Sequence, residues 1–181
     1  MKKALQSVGL DALWHCPQLN TSPKQAIEQC QQLIRAHHDQ AQPLIVMGSS
    51  LGGFYATYLA EQWPSAKAVV LNPVVYAARD LAHYVGTLSN FHTGATFDFS
   101  PDDVQALAKL EIDHLTDPAR YMLIAATGDE LLDWREMAAH YEGAQQTIIS
   151  GGDHGLSDFP QYLDKIFTFL GLPTPATPTA N

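Results

Sequence analysis

Apolar residues fall in short continuous runs between longer amphipathic stretches, the pattern of buried strands alternating with helices. Strands are predicted at about 12–16, 43–48, 66–71, 120–127 and 144–150, and helices at 23–38, 51–63, 133–141 and 158–170. Pro43-Leu44-Ile45-Val46-Met47 and Tyr121–Thr127 carry no polar alternation, as befits strands buried on both faces. Ala144–Ser150 alternates instead. Strand and helix in turn imply an α/β fold, a mostly parallel sheet with helices on both faces.

Residues 77–117 break this rhythm as an irregular, partly helical insertion. Tyr76, Tyr84, Phe91, Phe97 and Phe99 mix there with Gly86, Gly94 and Pro101. These aromatics suit the wall of an acyl-binding cap and, equally, a small satellite core. From Pro173 to Asn181 the chain is proline-punctuated, small and uncharged, so disorder is predicted. The expected organisation is one domain over 1–172, with a cap-like insertion at about 77–117, and a disordered tail at 173–181.

The chemistry concentrates where the strands end. Gly48-Ser49-Ser50-Leu51-Gly52 fits Gly-x-Ser-x-Gly and sits between a predicted strand and a predicted helix that Pro64 stops. Such a turn strains the serine backbone and lifts its hydroxyl above the sheet, while glycines on either side give strand and helix room to approach. Ser50 is therefore the candidate nucleophile, and Ser49 a turn residue. The N–H of Leu51, at the positive end of the helix, is the candidate oxyanion donor. A phosphate cradle would use the same glycines, but it calls for a basic side chain nearby, and Pro43–Ser65 contains none.

A serine needs a base, and the base an orienting acid. Tyr121–Thr127 runs into Gly128-Asp129-Glu130, and Ala144–Ser150 into Gly151-Gly152-Asp153-His154-Gly155. Acid and histidine thus follow the serine in the chain order Ser, Asp, His, each just past a strand. Asp129 is the favoured acid. Asp133 is the runner-up, because Asp133-Trp134-Arg135-Glu136 has the spacing of a helix N-cap and gives it a structural task already. Glu130 reads as a solvated neighbour, and Asn72-Pro73 as an ordinary turn.

Of the eight histidines, His154 alone is flanked by glycines after a late strand. His37 and His38 suit the end of a helix. His15 suits a core edge, and His83, His92, His114 and His140 the surface or satisfied packing. No His/Cys spacing points to a metal site, and no cofactor is called for.

A formal net charge of −9 with only 10 basic residues argues against nucleic acid and mildly favours neutral esters over acyl-CoA. No membrane span or signal peptide is evident. Cys16 and Cys30 fall on buried-looking positions of a strand and a helix, which suits free thiols in a reducing cytoplasm.

With these residues in hand, the chain resembles the YqiA/YcfP-like bacterial esterases, a family of small α/β hydrolases. The resemblance rests on Met47–Leu59, on Val70-Leu71-Asn72-Pro73, on Thr127–Arg135 and on Gly151-Gly152-Asp153-His154, and it extends over most of 1–172. It implies a reduced α/β-hydrolase fold and a Ser-Asp-His esterase or thioesterase for short acyl esters or acyl-CoA-like thioesters. By position, the triad would be Ser50, Asp129 and His154.

One departure stands out. Members of that family begin with an apolar strand and a His-Gly-Phe turn that supplies a second oxyanion N–H. Here Met1–Leu10 resembles the helix expected after that segment, so the first strand is expected to be missing. A start set too far downstream is the leading explanation, ahead of a fragment or a degenerate relative. Loss of one oxyanion donor costs ~10²–10³ in rate. The alternative function is therefore a catalytically impaired or inert hydrolase-fold binding or scaffold protein. An exposed sheet edge would also favour association.

Overall fold

The computed structural model describes residues 1–39, 42–89, 94 and 96–174. Helix α1 (Lys2–Gln6) and a 3-10 turn (Asp11–Leu13) lead into α2 (Pro23–His37). Strand β1 (Ile45–Ser49), helix α3 (Leu51–Gln62) and strand β2 (Lys67–Leu71) follow. The insertion comprises α4 (Ala77–Leu81), the hairpin β3 (Gly86–Ser89) and β4 (Thr96–Phe99), and α5 (Pro101–Ala108). Strand β5 (Tyr121–Ala126), α6 (Trp134–His140), β6 (Gln145–Ile149) and α7 (Leu163–Leu170) complete the chain.

Four strands form one parallel sheet in the order β1-β2-β5-β6. Successive side chains point to opposite faces, and the sheet divides its apolar residues accordingly. Ala68, Val70, Leu123 and Ala125 share one core with Phe54 and Leu59 of α3. Val69, Leu71, Met122 and Ile124 pack with Ile166 and Leu170 of α7 on the other face. All of β5 is buried, which explains its unbroken apolar run.

The predicted strand at 12–16 does not form. Asp11–Leu13 is a 3-10 turn, Leu13 is 74% exposed, and the His15 ring stacks on His37 at 4.3 Å. With Pro17 immediately after and no layer to receive its side chains, this short stretch has no ladder to join. Cys16 is consequently exposed, whereas Cys30 is half-buried and packs against the main core. Strand β1 is left at the margin of the sheet, and among the described residues no strand pairs with its outer side.

The insertion also holds a hairpin that its residues do not announce, since Gly86-Thr87-Leu88-Ser89 carries a single large apolar side chain. Phe99, Leu107 and Leu110 pin the insertion to the main core, and Phe97 packs against it. Tyr76 and Tyr84 are exposed, whereas Phe91, His92 and the tail beyond residue 174 lie outside the described residues.

The far end of α3 rests on Arg120. Its Nη1 donates to the carbonyls of Ala60 (2.9 Å) and Ala66 (3.0 Å), and Nη2 to Glu61 Oε1 (3.1 Å) and Thr116 Oγ1 (3.0 Å). The Tyr121 hydroxyl donates to the same carboxylate. Removing one partner of a buried ion pair strands the other, at a cost of about 3–5 kcal/mol. Arg120→Met is expected to lower stability by about that amount in urea denaturation.

His140 ends α6, where burial and the nearby His114 hold its pKa below the ordinary value. The unfolded chain then binds the extra proton first, so stability falls as pH drops below about 6.5 and levels off under the folded-state pKa. His140→Gln should flatten this acid limb, read from urea midpoints between pH 7.5 and 5.

Candidate active site

Ser50 occupies the turn between β1 and α3 with φ 54 and ψ −125, a conformation other residues rarely adopt outside functional sites. Neighbouring backbone holds it there. Its N–H donates to the Leu71 carbonyl (3.0 Å), and its carbonyl accepts from Gly53 (2.9 Å) and Val74 (3.1 Å). A Cβ on Gly48 would overlap the Gly52 carbonyl, and one on Gly53 would lie 2.7 Å from the Pro73 Cβ. Gly52 faces open space. The room expected at both motif glycines is thus needed at Gly48, and then at Gly53, one residue beyond the motif.

Asp129 follows β5 in a tight turn. Its Oδ1 accepts the N–H groups of Leu131 and Leu132, both at 2.9 Å, and its side chain is 0% exposed. That leaves Oδ2 for His154 Nδ1, at 2.8 Å. On the other side of the ring, His154 Nε2 lies 2.9 Å from Ser50 Oγ. In the tautomer with its proton on Nδ1, the ring donates to Oδ2 and turns the Nε2 lone pair toward the serine hydroxyl. Asp133 instead caps α6, accepting from the Arg135 N–H at 2.9 Å, with its side chain 49% exposed. Leu51 is the first residue of α3, where a helix N–H has no intrahelical acceptor.

The His154 loop is held by contacts that sequence reasoning missed. Glu130, read as a solvated neighbour, accepts the His154 backbone N–H at 3.0 Å. Asn72, read as part of an ordinary turn, is wholly buried. Its Nδ2 donates to the carbonyls of Asp153 (3.0 Å) and His154 (2.9 Å), and its Oδ1 accepts from Ala126 N–H (2.8 Å). The available signal was position: a polar residue ending the run Ala68–Leu71 is buried with its strand and must find partners. Beyond the histidine, Asp153 Oδ1 accepts from Ser157 N–H (3.1 Å), and hydrogen bonds from Ser157 keep the Asp153 pKa below the usual carboxylate value. Leu156, with φ 47, drives its side chain into the core under α7.

Among the described residues no three His, Cys, Asp or Glu side chains gather as metal ligands would, and no helix is long and apolar enough to cross a membrane. A cavity of about 320 Å³ lies between the insertion and α6, lined by Tyr76, Glu111, Asp113, His114 and His140 among others. Ser50, Asp129 and His154 do not line it.

The sequence pattern of the uncharacterised protein family UPF0227, the YqiA/YcfP-like group, matches residues 1–171. The chain belongs to this family. Its fold is similar to that of Est1E from Butyrivibrio proteoclasticus (TM-score 0.65, 11% identity, 83% of this chain and 72% of that one). It is also similar to the esterase domain of a Rhodothermus marinus protein (0.57, 16%, 86% and 73%). An alpha-beta serine hydrolase homologue from Coxiella burnetii matches at 0.54 and 16%, over 89% and 70%. At these identities the likeness is one of fold, and it establishes this family member as an α/β hydrolase in architecture.

The glycine geometry is directly testable. Gly48→Ala forces α3 off β1 and should leave little folded protein at 37 °C. Gly52→Ala should be neutral or raise stability by up to about 1 kcal/mol, as at any accommodating helical position. Thermal melts of the two variants distinguish these outcomes.

Proposed function

We propose that this protein is a serine hydrolase of short acyl esters or acyl-CoA-like thioesters, with Ser50, His154 and Asp129 as nucleophile, base and orienting acid. The observation that carries this reading is the continuous hydrogen-bonded chain from Asp129 Oδ2 through the His154 ring to Ser50 Oγ, at 2.8 and 2.9 Å. The hydrolase fold of the family and the esterases among its structural neighbours support it.

In this mechanism Ser50 Oγ attacks the acyl carbon while its proton passes to His154 Nε2. The carbonyl oxygen becomes an oxyanion at the Leu51 N–H. Collapse breaks the bond to the leaving alkoxide or thiolate, which takes the proton from His154 and leaves an acyl-Ser50 ester. Water then repeats the sequence, its proton going to His154, and releases the free acid as Ser50 recovers its hydrogen. Asp129 keeps Nδ1–H oriented and stabilises the imidazolium. The acidic surface favours neutral esters over CoA thioesters, and two free cysteines suit work in the cytoplasm.

A second reading is favoured by one feature. With nothing paired to the outer side of β1 among the described residues, Leu51 is the single oxyanion donor identified, which suits an impaired or inert binding protein.

Fluorophosphonate labelling separates the two. The enzyme reading expects a covalent adduct at Ser50 that Ser50→Ala abolishes and Asp129→Asn slows by ~10⁴. Asp133→Ala should keep most of the labelling, with about 1 kcal/mol lost from the α6 cap. A folded protein that takes no label sinks the catalytic reading.

A further inference from the structure

We propose that Asn72 is a positioning residue whose side-chain amide sets the placement of His154 over Ser50. The proposal rests on the reading of Ser50, Asp129 and His154 as a hydrolytic triad. Asn72 touches none of the three side chains through its amide, yet it ties together the two backbone segments that carry acid and base. Oδ1 holds the N–H of Ala126, the last residue of β5, three positions before Asp129. Nδ2 spends both hydrogens on the carbonyls of Asp153 and His154. The amide is planar, so these acceptors and this donor are fixed relative to one another.

The third member of the site is tied in through the backbone. Asn72 N–H donates to Ile124 (2.9 Å), and two residues on, Val74 N–H donates to the Ser50 carbonyl (3.1 Å). Residues 72–74 therefore touch the serine turn, the end of the acid strand and the histidine loop at once. Glu130 holds the His154 N–H from the exposed side, but Asn72 is the buried anchor of its carbonyl.

The residue type follows from the geometry. Asn72 has φ 37, and asparagine tolerates this left-handed conformation better than most side chains. Aspartate would bring a buried charge against two carbonyl oxygens and offer no hydrogens. Leucine would fill the space and orphan three backbone groups. Serine is too short to span both loops. Without the clamp, the glycine-hinged segment 151–155 loses the buried anchor of its carbonyl side and is held by the remaining contacts to Thr127, Gly128, Asp129 and Glu130. A misplacement of about 1 Å costs ~10² in rate.

The test uses Asn72→Gly, which accepts the positive φ while deleting the amide, together with Asn72→Ser. Two readouts are taken on protein that melts cooperatively: the rate of fluorophosphonate labelling at Ser50, and the His154 tautomer from imidazole ¹⁵N shifts, assigned by comparison with His154→Gln. The proposal expects a fixed Nδ1–H tautomer in wild type, mixed tautomers in folded variants, and labelling slowed by ~10²-fold. Leu107→Ala, a truncation in α5 within the other core from the one that Leu156 and α7 share, should lower the melting temperature without changing the tautomer. Variants that label within about threefold of wild type or keep the fixed tautomer overturn it, threefold being well inside the ~10² that misplacement costs. So do mixed tautomers in wild type, or failure of both variants to fold, which would make Asn72 a core residue only. A fixed wild-type tautomer without Ser50 labelling would instead refute the hydrolase reading, and the tautomer in the variants would still decide the role of Asn72.

Discussion

The close approach of α3 to β1 is the constraint on which the rest of the structure depends. Gly48 has no space for a side chain against the Gly52 carbonyl, and Gly53 has none against Pro73. Those contacts force the chain to reverse through a single residue, and Ser50 takes up the reversal with a positive φ. The strain is held by hydrogen bonds to Leu71, Gly53 and Val74, so the turn and the end of β2 form one unit. At the other end of α3, Arg120, just before β5, takes the Ala60 carbonyl of the helix and the Ala66 carbonyl beyond it. The helix behind the serine is thus secured at both ends.

Parallel strands make this local geometry useful. All four strands of the sheet run the same way, so the segments leaving β1, β2, β5 and β6 emerge along one edge. Open α/β sheets keep their sites at that edge. Ser50, Asn72, Asp129 and His154 follow four different strands, and each comes within hydrogen-bonding reach of another member through side chain or backbone. Burial sharpens the arrangement, because Asp129 has no solvent to bond with and must direct its oxygens to Leu131, Leu132 and His154.

Much of this was legible in the sequence, for physical reasons. Buried parallel strands advertise themselves as continuous apolar runs, and Gly48–Gly52 and Gly151–Gly155 mark turns that only particular backbones can make. Asp133 declared its capping task by spacing to Glu136, which left Asp129 as the acid to consider. What was illegible depends on tertiary placement. Residues 12–16 have strand-like composition but no neighbour to pair with, so they coil into a turn. The β3–β4 hairpin lies on the surface of the insertion, where burial leaves no strong period. Asn72 and Glu130 hold the histidine loop across 82 and 24 residues of chain, and no local pattern reports such distances.

The separation of Ser50 from His154 by 104 residues has a consequence for what reactivity would measure. Strand β6 is the other margin of the sheet and mixes exposed and half-buried positions, whereas β5 beside it is buried throughout. Strand β6 and the histidine loop that follows it can therefore loosen while the serine turn, braced by β2 and α3, stays intact. Such a partly opened molecule would be compact, largely folded by most optical criteria, and chemically silent. Serine reactivity would then gauge the closure of the last strand more finely than it gauges the survival of the fold as a whole.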